Sequence, residues 1–371
     1  MPAMRPSTTS TEPNQHYDVV VIGGGQAGLA AGYLLRRTGL NFVILDDQQQ
    51  PGGAWQHYWD SLRLFSPAEY SPLPGWWMPP QPGEEFPTAE HVVAYLTAYE
   101  QRYQLPVHRP VRVQTVHRAG KWLAVHSSQG VFNARAVISA TGTWAAPHQP
   151  SLPGQQRYTG QQLHTVDYRS PQHFTGQRVV VVGGGNSAAQ ILADISTVAD
   201  TTWVTRRPPR FMPDDVDGRV LFDVATQREA ARRAGIPDTG GASSLGGIVM
   251  VPSVRDARDR GVLHAHPMFD SLTEHGIAYS DGTELACDAI IWCTGFRPHL
   301  THLAPLGLGQ DGDVPLTEGT RSIHEPRLHL LGYGDWTGWA SATLVGAGRT
   351  AKAAVNHLTD QLHDRQTVNS T

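Results

Sequence analysis

The feature that most restricts what this chain can become is a glycine-rich turn written twice. VVVIGGGQAGLA fills residues 19–30 and VVVVGGGNSAAQ fills 179–190. In each, an apolar run meets three glycines and gives way to small and apolar residues at helical spacing. A second apolar run follows, NFVILDD after the first turn and TTWVTRR after the second. The order predicts strand, tight turn, helix and strand, the opening of a parallel sheet, because parallel neighbours can be joined only by a crossover. The two copies also end alike, on ARAVISATG and on CDAIIWCTG. A shared beginning and a shared end mark an internal duplication.

The glycine spacing states what such turns are for. In a GxGxxG turn the first glycine permits the bend and the second lets backbone approach a pyrophosphate. The third brings helix against strand, and the helix N-terminus offers free N–H groups to the anion. The first copy supplies Gly23, Gly25 and Gly28, and Asp46 stands 18 residues after Gly28 at the end of the next strand, where an acid accepts from ribose hydroxyls. The second supplies Gly183, Gly185 and Ala188, and 18 residues after Ala188 come Arg206 and Arg207. Two guanidiniums suit a 2′-phosphate. The expectation is an α/β protein with two Rossmann-like dinucleotide-binding domains, one for a nucleotide without a 2′-phosphate and one for NADPH.

Residues 1–16, rich in Pro, Ser and Thr, read as a disordered lead-in. The first domain is expected over 17–150 and the second over 151–295. Residues 296–371 contain one more strand, a Gly-Asp turn and a helix without partners of its own, and are expected to return to the first sheet, which makes the second domain an insertion. The stretch 208–258 has no counterpart in the first half; Pro, Gly and Asp surround a helix (VATQREAARRAG), and a flap over a cleft is expected.

Composition removes several classes of function. A net charge of -4 over 371 residues gives nucleic acid or an acidic membrane no basic face to bind. The two lysines, Lys121 and Lys352, follow no GxxxxG loop, which removes a P-loop nucleotidase. Cys287 and Cys293 have neither CxxC nor zinc spacing and read as small apolar side chains, and such sparse cysteine use fits a reducing cytoplasm. His264 and His266 alternate along a strand and, with His57, lack the further ligands a metal needs. No apolar run reaches the roughly 18 residues of a membrane span.

Between the halves, YTGQQLHTVDY at 158–168 resembles the fingerprint of the flavin-containing monooxygenases, FxGxxxHxxx with a following aromatic. Tyr158 replaces Phe, and Gly160, His164 and Tyr168 are in register. With the GGAW turn at 52–55, the GxGNSA turn and the two TG ends, the resemblance extends over residues 17 to 357. WDSLRLFSP and WVTRRPPRFMPDDVDGR are similar to the small flavin monooxygenases of arsenic-resistance operons.

The resemblance implies two cofactors, FAD and NADPH. FAD is expected on Gly23, Gly25, Gln26, Ala27, Gly28, Asp46, Asp47, Gly53, Ala54, Trp55, Val113, Ala140, Thr141 and Gly142, with Asp335 on the ribityl chain and Thr343 near the last helix. NADPH is expected on Gly183, Gly185, Asn186, Ser187, Ala188, Arg206, Arg207, Thr294 and Gly295. His164 is expected to brace the hinge between domains, and Asn186 is the one candidate catalytic side chain. The reaction that the resemblance implies is hydride transfer from NADPH to the flavin, addition of dioxygen to give a C4a-(hydro)peroxide, and transfer of its distal oxygen to a soft nucleophile (S, N, Se or As). The expected partners are therefore a small-molecule substrate and dioxygen, with a homodimer as the compatible assembly. The sequence departs from the larger members at Phe65, which stands where they carry Asn in LxxNxP. An NADPH oxidase or flavin-based sensor that releases peroxide is the alternative. A thioredoxin-reductase-like enzyme lacks its CxxC.

Overall fold

The computed structural model describes residues 15–220, 227, 247–312 and 314–368. Most of the lead-in, 1–14, and most of the helix VATQREAARRAG lie outside the described residues. Gln15 and His16, counted with the lead-in, open the first strand instead, where the His16 ring packs edge-on against Trp122.

Two sheets organise the chain. In the first half the strands are β1 (Gln15–Ile22), β2 (Phe42–Leu45), β3 (Val107–His108), β4 (Val113–Ala119), β5 (Trp122–Ser127) and β6 (Gly130–Ser139). The second half adds β7 (Gln161–His164), β8 (Arg178–Val182), β9 (Asp200–Thr205) and β10 (Ala265–Pro267), then the short β11 (Ser271–Leu272), β12 (Gly276–Ala278) and β13 (Glu284–Ala286), and β14 (Ala289–Trp292). The remaining strands are β15 (Gln310–Asp311), β16 (Val314–Pro315), β17 (Thr317–Glu318), β18 (Arg321–Ser322) and β19 (Leu328–Leu330). The helices are α1 (Gln26–Leu35), α2 (Ala89–Arg102), α3 (Asn186–Ile195), α4 (Pro252–Asp259) and α5 (Leu344–Val368).

The first sheet runs β17-β18-β19-β6-β1-β2-β3, with β5 also on β6 and β4 on β5. The second runs β10-β9-β8-β14-β7, all parallel, while β11–β13 form a small antiparallel sheet of their own. β19 lies parallel to β6, with Leu328 opposite Val137, so the chain comes back to the first sheet after building the second. Both sheets are covered on both faces, which is why their central strands are valine runs rather than alternations. Val19 and Val21 of β1 face α1, α2 and α5, while Val20 and Ile22 face the β4–β5 side. In β8, Val179 and Val181 join one core while Val180 and Val182 join another.

The stretch 208–258 is not a flap at its described ends. Ile248, Val249, Met250 and Val251 are buried, and α4 packs on α3. The Pro and Gly that suggested a loop punctuate a core segment, and Phe211 bridges to Ile248 to close it.

Candidate functional site

The first glycine turn is built by close contacts. The Gly23 N–H donates to the Leu45 carbonyl at 2.7 Å, and the Ala140 N–H to Ile22 at 2.8 Å. Gly23 has φ +106°, and a Cβ there would sit 2.5 Å from the Ala140 oxygen. Gly28 is closed in the same way, because a Cβ on it would fall 1.9 Å from the Gly23 oxygen. Gly25 differs from both. Its Cβ position meets nothing nearer than the Gly53 Cα at 3.9 Å, so the space over it is open. Gly53, in turn, lies so close that its own Cβ would stand 2.8 Å from the Gly25 Cα.

Asp46 lies beneath this turn, 3% exposed. It takes a hydrogen bond from the Gly24 N–H and a 2.6 Å ion pair from Arg109 Nε. Arg109 is held on its far side by both Glu100 oxygens at 2.7 Å. Burial pushes the Asp46 carboxyl above its ordinary range, against the pull of Arg109. Sequence reasoning missed Arg109: it lies 63 residues beyond Asp46, and only the pairing of β2 with β3 brings it there.

A cleft of about 750 Å³ runs over the turn. Gly23, Gly25, Gln26, Ala27, Asp46, Asp47, Gly53, Ala54, Trp55, Val113, Ala140, Thr141 and Gly142 all line it, as expected of a dinucleotide site. Its size lies within the usual range for ligand pockets, and the open Cβ position on Gly25 is the cradle a pyrophosphate requires. Gly28 stands behind the cleft as packing. Asp335 does not reach it: the side chain lies in an exposed 3-10 turn and Oδ1 accepts from the Ala340 N–H at 3.3 Å. Leu331, Gly332 and Ala342 form that wall instead.

The second turn repeats the same bonds. The Gly183 N–H donates to Val204 at 2.9 Å and the Cys293 N–H to Val182 at 2.7 Å, and a Cβ on Gly183 would meet the Cys293 oxygen at 2.2 Å. Gly185 has no protein atom within 4 Å of its Cβ position. The contents differ. Because Gly183 bonds Val204 as Gly23 bonds Leu45, the residue in the place of Asp46 is Thr205, and Arg206 comes one position later than counting had put it. Arg206 and Arg207 are exposed at the strand end. Ala188 is fully buried. The Asn186 Oδ1 accepts from the Val249 N–H at 2.8 Å, which fixes the amide and leaves Nδ2 only a 3.5 Å contact to the Gly247 carbonyl.

Two crossing segments join the lobes. Residues 142–148 run antiparallel to 295–299, with N–H donation from His148 to Gly295, Arg297 to Ala146 and His299 to Gly142 at 2.8–3.0 Å. Thr294 and Gly295 are part of this ribbon, Thr294 Oγ1 donating to the His148 carbonyl. His164 braces it: Nε2 donates to the Gly295 carbonyl at 3.0 Å, and Nδ1 accepts from Val166 N–H. Burial lowers the His164 pKa, in keeping with a neutral ring. The other fingerprint residues are also architectural. Tyr158 donates to the Cys287 carbonyl across Gly160, where a Cβ would collide with the Tyr158 hydroxyl at 2.2 Å. Tyr168 donates to Asp194 at 2.6 Å.

A second cavity, about 210 Å³, lies where the lobes meet. Trp55, Tyr58, Trp59, Leu64 and Phe65 face it from the first lobe, Asn186, Ser187 and Gln190 from the second, and Ala342, Thr343 and Leu344 from the start of α5. Trp55, Tyr58 and Ala342 also line the larger cleft, so the two spaces share a wall. Thr343 belongs to this cavity, where its hydroxyl accepts from the Gly346 N–H and caps α5. Its neighbour Arg63 spends Nε and Nη2 on Glu84 at 3.0 and 2.8 Å. Trp76 packs on Tyr95 while Trp77 is 69% exposed, and neither reaches either space. Burial holds both thiols protonated, Cys293 at about 12. Among the described residues no His, Cys, Asp or Glu cluster could hold a metal, and no helix is long and apolar enough to cross a membrane.

Residues 20–231 match the family model of pyridine nucleotide-disulphide oxidoreductases. A flavin-containing monooxygenase structure from Stenotrophomonas maltophilia is 50% identical, covers 94% of this chain and 99% of its own, and superposes with a TM-score of 0.85; a double mutant of the flavin monooxygenase from the same organism is 51% identical at 0.86, with the same coverage. An uncharacterized CzcO-like oxidoreductase of Geobacillus kaustophilus is 28% identical across 92% of this chain and 98% of its own. Indole-3-pyruvate monooxygenase YUCCA1 of Oryza sativa is 27% identical over 93% and 92%. With two dinucleotide turns, a hinge fingerprint and half its residues shared with a flavin-containing monooxygenase, this chain belongs to the flavin-containing monooxygenases, within the pyridine nucleotide-disulphide oxidoreductase family.

Proposed function

We propose that the protein uses NADPH and dioxygen to oxygenate a small soft nucleophile, a thioether, amine, selenide or trivalent arsenical, in the cavity between the lobes. The supporting observation is that this cavity is walled by both lobes and shares Trp55, Tyr58 and Ala342 with the flavin cleft. FAD, when bound, supplies the two-electron and dioxygen chemistry. The residues of the chain position and shield. The N–H groups opening α1 face the FAD pyrophosphate, with Gly25 allowing its approach, and Asp46 accepts from ribose. The second turn takes NADPH, with Arg206 and Arg207 on its 2′-phosphate. Residues 17–150 and 296–371 form the FAD domain and 151–295 the NADPH domain.

In the cavity the aromatic walls exclude water, which lengthens the life of any reactive oxygen species held there. Asn186 has its carbonyl oxygen occupied by Val249, so its Nδ2 donors are the ones available to oxygen or substrate. It lines the same cavity as Phe65 and takes over the donor role that an Asn at 65 would have. No side chain is required to remove a proton, and His164, with both ring nitrogens bonded, does not. The test is stoichiometry. FAD-loaded protein in air is given NADPH with thioethers, amines or trivalent arsenicals, and oxygenated product is measured against NADPH consumed. Product equal to NADPH supports the reading. Peroxide equal to NADPH with every substrate replaces it with an oxidase, the outcome that Phe65 favours.

A further inference from the structure

A buried histidine in the wall of the larger cleft has no part in the site as expected from the sequence. His302 is 3% exposed, in a 3-10 turn (Thr301–Leu306) reached just after the chain re-enters the first lobe. It lines the cleft together with His299 and Thr301. Its Nε2 is 3.0 Å from Ser139 Oγ, Ser139 Oγ is 2.6 Å from the Tyr333 hydroxyl, and that hydroxyl is 2.8 Å from Thr141 Oγ1. Thr141 Oγ1 lies 2.6 Å from the His299 carbonyl.

Counting protons along this chain gives it one direction. A carbonyl can only accept, so Thr141 must donate its hydroxyl proton to His299. Tyr333 therefore donates to Thr141, Ser139 to Tyr333, and the donor to Ser139 must be His302 Nε2–H. The neutral ring is thereby fixed as one tautomer, with a lone pair on Nδ1. That nitrogen has no partner among the described residues. Burial in this wall, with the His299 ring 6.3 Å away, holds the imidazole down at about 4. The other polar groups near the turn are committed: Arg118 to Leu306 and Glu325, and Tyr333 within the relay.

We propose that His302 is a flavin-nucleotide-binding residue, which accepts a sugar hydroxyl of the bound FAD through Nδ1, with Ser139, Tyr333 and Thr141 as the positioning residues that fix its tautomer. The inference rests on the reading that FAD occupies this cleft. It makes the relay a specificity device: an acceptor nitrogen rewards a hydroxyl and rejects a phosphate oxygen, which has no proton to give.

The test is FAD affinity of the apoprotein, followed by quenching of flavin fluorescence, for the wild type, His302→Leu, Tyr333→Phe and Gly25→Ala, each checked for folding by circular dichroism. Loss of one hydrogen bond to a ligand corresponds to roughly a fivefold to tenfold weaker complex. His302→Leu is expected to show this, and Tyr333→Phe a smaller weakening, because Ser139 is then free to turn its proton toward His302. Wild-type affinity is expected to stay flat from pH 6.5 to 8.5. Affinity that tightens tenfold per unit as pH falls, with the slope lost in His302→Leu, would mean a protonated ring on phosphate and overturns the proposal. So does unchanged affinity in both relay variants while Gly25→Ala loses FAD. If Gly25→Ala also binds FAD normally, the cleft reading itself fails and takes this inference with it.

Discussion

The two glycine turns share a scaffold and differ in what they enclose. Both wedge their first glycine against the carbonyl that ends a neighbouring parallel strand, and both leave their middle glycine open. The first turn then closes down. Gly28 has no room for a Cβ, and a buried acid with its own arginine sits beneath Gly24. The second is set differently, with φ +141° at Gly183 against +106° at Gly23, and it accepts the methyl of Ala188. Its strand ends in a threonine and two exposed arginines. The first turn is thus packed tightly from below, whereas the strand end beneath the second is open to solvent at Arg206 and Arg207.

The sharpest way to break this comparison is to exchange the third residues. Gly28→Ala places a carbon 1.9 Å from a backbone oxygen, far inside van der Waals contact, and should destabilise the protein by more than about 3 kcal/mol, beyond ordinary overpacking. A thermal melt within a few degrees of wild type would show that the first turn is as wide as the second. Acid should separate the lobes next. His302 and His329, both in the first lobe, are held down by burial, to about 4 and about 3. Their unfolded forms bind protons from pH 6.5 downward while the folded forms do not, so the stability they carry is complete above 6.5 and is lost as pH falls toward those values. Denaturant midpoints of the apoprotein should therefore fall steadily below pH 6.5 in the wild type and less steeply in His329→Gln.

The open glycines give a smaller and cleaner effect. Gly25→Ala meets no protein atom nearer than the Gly53 Cα at 3.9 Å, an ordinary contact, yet should weaken FAD on the order of 100-fold, because the methyl occupies ligand space. Gly185→Ala should raise KM for NADPH and leave FAD content unchanged. Arg206→Ala with Arg207→Ala should raise KM for NADPH roughly tenfold or more relative to NADH, the loss of charge-assisted hydrogen bonds; equal changes would place both side chains in solvent. Ala188→Gly, the reverse exchange, should cost only about 1 kcal/mol of stability.

What could be read from the sequence follows the range of the forces involved. The valine runs and the glycine wedges are local patterns, and the return of the last strand follows from a helix that has no partners of its own; all appear in the fold. Counting residues failed by one at Thr205, since the strand register, not the count, decides which side chain lies beneath the turn. Arg109 and the His302 relay depend on contacts across 63 and 163 residues, which no spacing announces. Asp335 was assigned from a Gly-Asp pair, and the exposed turn it forms turns the carboxylate onto its own backbone. The cavity between the lobes comes from residues 55–66, aromatic and aperiodic, whose burial depends on the second lobe being present.

The ribbon of two crossing chains has a mechanical consequence. Antiparallel segments tied at His148, Arg297 and His299 can bend or twist as one strip but cannot slide past each other without breaking several bonds together. Any relative travel of the lobes must therefore pass through this strip and strain the Ser61–Asp194 and Arg63–Gln190 bonds that also join them.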